Sequence, residues 1–262
     1  MDAIKKSRHP EEAAEAAVSK DARLPAPCHI GYAFLTIPPE SEAMTITLSG
    51  PSHPPQSGAA PRRLVILLHG LGADGNDLIG LAPYWAPLLP DAEFLSPNAP
   101  FPCDMAPFGY QWLSARDPSR EARLAGARAA GAILDAFIDD ELVKRGLTES
   151  ELALVGFSQG TMMSLFVGPR RERQLAGIVG FSGRLIAPEL LGEELRTRPP
   201  ILLIHGTDDP MVSYDSMAEA ETALVAAGVP VETLTCVGIG HSIDADGLRR
   251  GGEFLQRVLS AA

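Results

Sequence analysis

Residues 64–68 read Leu-Val-Ile-Leu-Leu, an unbroken apolar run that predicts a strand buried on both faces. Such a strand lies inside a sheet, and the sheet needs a layer of structure on each side. Weaker or shorter runs of the same kind recur at 92–95, 152–155, 177–181, 201–204 and 231–236. The chain therefore has to build a sheet whose strands are largely hidden from water.

Helical patterns fill the intervals between these runs. The clearest covers about 120–145 and ends at Gly146, after the cationic residues Lys144 and Arg145. Further helices are predicted at 159–167, 214–227 and 244–260. Buried strands that alternate with helices predict an α/β fold with a mainly parallel central sheet and helices on both faces.

The organisation along the chain is expected to be simple. We predict a mobile polar tail over 1–28 and one α/β domain over 29–262. Within 29–61, early strands are followed by a Pro-rich loop. The strands are predicted at 29–37 and 43–48, and the loop at 49–61, with four prolines, is expected to hold no regular structure.

The composition narrows the range of partners. The chain has 22 basic and 33 acidic residues, a net charge of −11, which disfavours binding to nucleic acid. No apolar run approaches the roughly 18 residues of a membrane-spanning helix, so no integral membrane association is expected. Cys28, Cys103 and Cys236 cannot all pair and lack metal-ligand spacing, so we expect reduced thiols, no metal and a cytoplasmic location.

The segment 156–160 reads Gly-Phe-Ser-Gln-Gly and lies between a predicted strand and a predicted helix. In this context the pattern G-x-S-x-G is typical of a nucleophile elbow, a tight turn that raises its serine above the sheet. Gly156 and Gly160 suit such a turn because side chains there would collide. We therefore predict Ser158 as a nucleophile. A glycine-rich turn that holds a serine by chance is the alternative.

A serine hydroxyl needs a base, and in this architecture an acid and then a histidine follow the serine along the chain. His241 follows the last predicted strand in a Gly-Ile-Gly-His loop and is the predicted base. The loop after strand 201–204 supplies two adjacent acids, Asp208 and Asp209. Asp209 is favoured because Pro210 stiffens the chain beside it, and Asp208 is the alternative.

Two backbone amides are predicted to form an oxyanion hole. One belongs to Gln159, directly after Ser158, and the other to Leu71 in the loop after strand 64–68. The same loop, at 70–75, also matches the dinucleotide pattern G-x-G-x-x-G. That pattern needs an acid at the end of the next strand, where this chain has Ser-Pro. We therefore expect no nucleotide and no other cofactor.

Several motifs occur in a characteristic order along the chain. They are His-Gly-Leu-Gly-Ala-Asp-Gly at 69–75, Ser-Pro-Asn-Ala-Pro at 96–100, the elbow at 156–160, His-Gly-Thr-Asp-Asp-Pro-Met-Val at 205–212 and Gly-His at 240–241. Together they resemble the phospholipase/carboxylesterase family of α/β-hydrolases, over about residues 62–260. The resemblance implies the α/β-hydrolase fold, with Ser158 as nucleophile, Asp209 as acid, His241 as base and Leu71 and Gln159 as oxyanion donors.

The substrate pocket is predicted around the loop 97–118. Members of the family often have Trp-Phe-Asp near the pocket, whereas 111–114 reads Gln-Trp-Leu-Ser here. Trp112 is still expected to line the substrate site, together with Met105 and Phe108 from the loop 97–118. The alternative is that these side chains pack the loop onto the sheet.

The resemblance implies a serine carboxylesterase acting on small-molecule esters. The sequence has no strongly apolar lid segment, so short or medium acyl chains are expected. Within the enzyme class, the alternatives are an acyl-protein thioesterase acting on an acylated protein and a lysophospholipase acting on a lysophospholipid. A non-catalytic ligand-binding module on the same fold is the alternative of a different class.

Overall fold

A computed structural model of the chain describes residues 46–260, which belong to one compact unit. The predicted tail at 1–28 and the predicted strand at 29–37 lie outside the described residues. Of the predicted strand 43–48, only 46–48 are described, and these are not in a strand. No helix in the described part of the chain is long and apolar enough to cross a membrane.

A seven-stranded sheet forms the centre of the described residues. The strands in chain order are β1 (Ser52–His53), β2 (Arg63–Leu68), β3 (Ala92–Leu95), β4 (Phe101–Pro102), β5 (Tyr110–Gln111), β6 (Leu152–Phe157), β7 (Gly177–Phe181), β8 (Ile201–Gly206) and β9 (Val231–Cys236). The sheet order is β1-β3-β2-β6-β7-β8-β9, and β4 and β5 form a separate hairpin. All neighbours in the sheet are parallel except β1 and β3.

Helices cover the sheet on both sides. They are α1 (Gly75–Ile79), α2 (Ala82–Trp85), α3 (Arg120–Arg145), α4 (Gln159–Val167), α5 (Leu191–Glu194), α6 (Asp215–Ala226) and α7 (Ala245–Ser260). The predicted α/β fold with a mainly parallel sheet is confirmed, and the predicted helices at 120–145 and 159–167 have the bounds of α3 and α4.

Alternate side chains of β2 enter two separate cores. Leu64, Ile66 and Leu68 pack in one cluster with residues of α3, α4 and α6. Val65 and Leu67 pack in a second cluster with residues of α1, α2 and α7. All five side chains are fully buried, which explains why the sequence of this strand is apolar without alternation.

The expectation that 49–61 holds no regular structure was wrong. Ser52 and His53 form β1, which pairs antiparallel with Leu95 and Phe94 of β3. Prolines flank this short strand on both sides. Because β1 is at the edge of the sheet, the missing proline N–H groups leave no ladder bond unmade.

The carboxyl ends of the parallel strands meet at one edge of the sheet. The loop after β2, the turn between β6 and α4, and the loops after β8 and β9 all begin there. These segments carry the site residues predicted from the sequence, so the topology brings them to one place.

The fit of α4 against β2 can be tested by adding a single methyl group. A Cβ on Gly160 would overlap the carbonyl oxygen of Leu68, which is backbone and cannot move aside. We expect Gly160→Ala to lower the free energy of unfolding by about 3 kcal/mol or more, as measured by urea denaturation. The matched control is Gly192→Ala in α5, where nothing lies within 4 Å of the new Cβ. A Gly160→Ala loss as small as that of the control would contradict this packing.

Candidate active site

The turn between β6 and α4 holds Ser158 in a backbone conformation that side chains rarely adopt, with φ of 54° and ψ of −113°. The Ser158 amide donates to the Phe181 carbonyl oxygen at 2.9 Å. The Thr161 hydroxyl is bonded to the same oxygen and to the Gly156 carbonyl oxygen, each at 2.8 Å. A Cβ on Gly156 would collide with the first turn of α4. Strain of this kind costs about 1–3 kcal/mol and persists only where surrounding contacts enforce it.

Asp209 lies in the loop after β8, and its carboxylate has no exposed surface. Its Oδ1 accepts hydrogen bonds from the amides of Met211 at 2.8 Å and Val212 at 2.9 Å. Its Oδ2 lies 2.7 Å from His241 Nδ1. The carboxylate is therefore fixed by its own loop and fixes the imidazole in turn.

A second histidine lies against the same carboxylate oxygen. His205 Nε2 is bonded to the Val212 carbonyl oxygen at 2.9 Å and lies 3.2 Å from Asp209 Oδ2. A carbonyl oxygen can only accept, so His205 Nε2 carries a proton and donates it to Val212, with Asp209 Oδ2 close to the same nitrogen. No motif in the sequence predicts this contact, which joins the end of β8 to the loop that follows it.

The hydrogen bonds outweigh the effect of burial on the Asp209 carboxylate. Burial alone would raise its pKa, but the bonds from His241 and from the amides of Val212 and Met211 hold the pKa below the ordinary value. Asp209 is thus ionised across the neutral pH range. A buried negative charge beside His241 Nδ1 keeps the proton on that nitrogen and leaves Nε2 to accept one.

The neighbouring acid, Asp208, is placed differently. It is exposed, and its carboxylate accepts a hydrogen bond from the Thr207 hydroxyl at 2.8 Å. Of the two adjacent acids, it is Asp209 that contacts His241.

Ser158 and His241 line the same cavity. No hydrogen bond joins their side chains within residues 46–260. The imidazole packs against the ring of Phe157, with the ring centroids 4.8 Å apart. Catalytic hydrogen bonds are often long in the absence of substrate and tighten in the reacting complex.

Leu71 and Gln159 also line this cavity. Within the described residues, neither backbone amide donates a hydrogen bond. The loop that carries Leu71 approaches closely because Gly70 has no side chain: a Cβ there would lie 3.2 Å from the Phe157 ring and 3.3 Å from Ser158 Cβ. Two free amides beside one serine can stabilise a negative charge on a substrate oxygen.

His69 anchors the start of that loop. Its Nε2 accepts a hydrogen bond from the Ala99 amide at 2.9 Å, and its Nδ1 donates to the Gly70 carbonyl oxygen at 2.7 Å. Burial lowers the pKa of His69, so the ring is neutral in this position. The Trp112 indole N–H donates to the His69 carbonyl oxygen at 3.0 Å. These bonds tie the loop after β2 to the chain around Trp112.

The predicted pocket residues Trp112, Met105 and Phe108 do not line the cavity, so this prediction was wrong. Trp112 is fully buried in the core, while Met105 is 60% and Phe108 72% exposed. The side chain of Gln159 holds this part of the loop: it accepts from the Trp112 amide at 3.1 Å and donates to the Leu113 carbonyl oxygen at 2.9 Å. That bond places Leu113 on the cavity wall instead.

The cavity has a volume of about 620 Å³, within the usual range for small-molecule sites. Its apolar wall is formed by Leu71, Leu113, Phe157, Met162, Met211 and Val212. Four charged side chains, Asp77, Asp117, Arg123 and Arg184, also line it. The described residues contain no group of His, Cys, Asp or Glu that could hold a metal ion.

Comparison with known proteins gives a consistent set of matches. A family model described as phospholipase/carboxylesterase matches residues 55–259. Esterase YpfH of Escherichia coli K12 is 31% identical over 186 residues, covering 70% of this chain and 77% of that protein. Acyl-protein thioesterase 1 of Schizosaccharomyces pombe is 32% identical over 207 residues, covering 75% and 91%. The crystal structure of esterase PE8 has a TM-score of 0.78 and 44% identity, covering 82% of this chain and all of that one.

The lowered pKa of Asp209 predicts a pH-dependent contribution to stability. Its ordinary value is 3.8, so the ionised form stabilises the fold at neutral pH, and this contribution is lost as the pH falls below about 4 through the folded-state pKa. We expect the melting-temperature advantage of wild type over Asp209→Asn to shrink between about pH 7 and pH 3. Asp208→Asn is the matched control. A pH-independent gap for Asp209→Asn would contradict the prediction.

Proposed function

The chain belongs to the phospholipase/carboxylesterase family and is an ester-hydrolysing serine hydrolase, and from this premise we propose that it is a carboxylesterase working through an acyl-enzyme on Ser158. The observation that carries the proposal is the contact of the buried Asp209 carboxylate with His241, whose imidazole lines the same cavity as the strained Ser158. A binding module would not need to fix an imidazole in one tautomer beside a strained serine.

In the proposed mechanism, Ser158 Oγ attacks the ester carbonyl carbon while His241 Nε2 takes the hydroxyl proton. The imidazolium that forms is stabilised by Asp209 through the 2.7 Å contact at Nδ1. When the tetrahedral intermediate collapses, the carbon–oxygen bond to the alcohol breaks and Nε2 returns its proton to that alcohol. Water then repeats both steps on the acyl-enzyme and releases the carboxylic acid.

The amides of Leu71 and Gln159 are the proposed donors to the oxyanion. Gln159 is the first residue of α4, so its N–H points away from the helix and carries the partial positive charge of a helix start. Losing one such donor typically costs about 3–4 kcal/mol of transition-state stabilisation. Since both donors are backbone groups, their contribution is independent of the side chains at these positions.

The cavity wall supports a preference for short and medium acyl chains. Each buried methylene group contributes about 0.8 kcal/mol as long as it meets an apolar surface. Here the apolar wall is interrupted by Asp77, Asp117, Arg123 and Arg184. A long alkyl chain would have to strip water from these charges without replacing its hydrogen bonds, which is unfavourable.

A second candidate substrate is a thioester on an acylated protein. It is favoured by the 32% identity to acyl-protein thioesterase 1 of Schizosaccharomyces pombe. The proposed mechanism is the same for both, because only the leaving atom changes from oxygen to sulfur. Parallel assays with an oxygen ester and a thioester of the same acyl group would separate the two, since a thioesterase would show the higher kcat/KM on the sulfur compound.

The proposed roles can be tested by substitution at the two adjacent acids and the serine. We expect Ser158→Ala to abolish hydrolysis of p-nitrophenyl butyrate and Asp209→Asn to lower kcat by about 10⁴-fold. Asp208→Asn should stay close to wild type, because Asp208 is exposed and makes no contact with His241. Labelling of wild type by a fluorophosphonate, absent in Ser158→Ala, is an independent readout. Full activity of Ser158→Ala would refute the proposed nucleophile.

The chain-length preference is tested with p-nitrophenyl esters from acetate to laurate. We expect kcat/KM to rise by about fourfold per methylene over the first members, and then to level off or fall once the alkyl chain reaches the charged part of the wall. A rate that keeps rising beyond the decanoate ester, and jumps at an oil–water interface, would instead indicate a lipase.

A further inference from the structure

Arg184 lies beside the turn that holds Ser158. After β7 the chain turns at Ser182, whose φ is 47°, and then passes Gly183. A Cβ on Gly183 would lie 3.1 Å from the Ser158 carbonyl oxygen, so the backbone here is packed onto the elbow. Arg184 follows immediately and lines the cavity that contains Ser158 and His241.

The guanidinium group of Arg184 has no carboxylate partner within the described residues. Its Nε is buried and donates no hydrogen bond. The other arginines that are comparably buried are paired: Arg145 Nε lies 2.7 Å from Glu93 and Arg170 Nε lies 2.7 Å from Glu194. Arg170 and Arg171 also leave one buried nitrogen without a partner, but each is bonded to at least one carboxylate. Arg184 therefore differs in having a buried donor and no carboxylate partner within the described residues, an arrangement that costs free energy unless a ligand completes it.

The surroundings of Arg184 disfavour its positive charge, so a bound anion would stabilise it. Burial and the neighbouring Arg123 both lower its pKa, against the opposing effects of Glu219 and Asp209. Of these carboxylates, Asp209 is already bonded to His241, and Glu219 is exposed on α6.

Arg123 adds a second positive charge and supplies no anion to Arg184. It also lines the cavity, and it donates to the Pro118 carbonyl oxygen at 2.6 Å rather than to a carboxylate. The acids on the same wall, Asp77 and Asp117, are exposed and form no ion pair with either arginine within residues 46–260. Two cationic groups therefore face the cavity without an anion between them.

We propose that the preferred ester carries an anionic group, a carboxylate or a phosphate, that binds Arg184 with Arg123 beside it. This inference rests on the proposed esterase function and names the substrate class for the same cavity. An arginine fork can bind either oxyanion through two parallel N–H···O bonds. The anion takes no part in the bond changes at Ser158 and acts only in binding and orientation. Because the net charge of the chain is −11, the protein as a whole repels anions, so a preference for them has to arise at this site.

The test uses pairs of esters that differ in one charge. The mono-p-nitrophenyl ester of adipic acid is compared with p-nitrophenyl hexanoate for a carboxylate on the acyl side. On the alcohol side, 4-acetoxybenzoate and 4-acetoxyphenyl phosphate are each compared with phenyl acetate, which separates carboxylate from phosphate. In wild type we expect kcat/KM to favour the anionic member of at least one pair by about tenfold, and added salt to reduce this preference.

Variants then assign the preference to Arg184. We expect Arg184→Gln to lower the anionic-to-neutral ratio of kcat/KM by about tenfold, about 1.4 kcal/mol, mainly through KM. Arg184→Lys keeps the charge and should restore part of the ratio. The matched control is Arg249→Gln, an exposed arginine of α7 paired with Glu253 at 2.6 Å, which should leave the ratio unchanged. A ratio that is equal in wild type and Arg184→Gln would overturn the inference.

Two further outcomes are distinguishable. If Arg184→Gln does not fold, as judged by its melting curve, inhibition of butyrate hydrolysis by adipate or phenyl phosphate in wild type and Arg184→Lys decides the question. Inhibition that is weaker in Arg184→Lys supports the inference, and no inhibition of either protein overturns it. If no ester is hydrolysed at all, the proposed function fails. Calorimetric titration of adipate and phenyl phosphate into wild type and Arg184→Gln then still shows whether Arg184 binds an anion.

Discussion

The left-handed backbone at Ser158 is the constraint around which the sheet and its loops are arranged. A serine adopts this strained conformation only where neighbouring contacts enforce it. The contacts come from α4, which packs closely on β2. There is no space for a methyl group on Gly160 beside the Leu68 carbonyl oxygen. Because β2 is buried in a core on each face, the strand cannot move to release the strain. The stability of the central sheet thus maintains the geometry of Ser158 at the carboxyl ends of its strands.

The acid at the site is held by the opposite means, a surplus of hydrogen bonds rather than strain. The Asp209 carboxylate receives two amides of its own loop and the His241 ring, and His205 lies 3.2 Å away. A buried charge with this many donors stays ionised and cannot rotate. His241 lies on a separate loop after β9, so its orientation depends on a carboxylate that is held by the amides of another loop.

How much of the fold and the site could be predicted from the sequence depends on how far apart along the chain the interacting residues lie. Buried strands have continuous apolar runs, and the elbow needs glycines at fixed positions. Short sequence patterns therefore predict both the sheet and the position of Ser158. The prediction that Trp112 lines the substrate site was wrong because an aromatic residue in a loop can either pack on the sheet or face a ligand. The bond from Gln159 to the Leu113 carbonyl oxygen, which decides between these, spans 46 residues. Arg184 had no motif at all, because an unpaired cation is recognised only when its neighbours in space are known.

The charges of the cavity connect these features to substrate choice. In the proposed mechanism, strain at Ser158 and hydrogen bonding at Asp209 prepare the reacting groups, but both are compatible with any ester carbonyl. Discrimination has to come from the wall, where the apolar surface of Leu113, Met162 and Val212 gives way to charged groups. A paired charge on that wall would be nearly indifferent to ligand charge, whereas an unpaired, partly desolvated arginine distinguishes an anion from a neutral group strongly. In a chain with a net charge of −11, carboxylates were available to pair with Arg184. That none lies against it in the described cavity leaves the substrate to provide the missing anion.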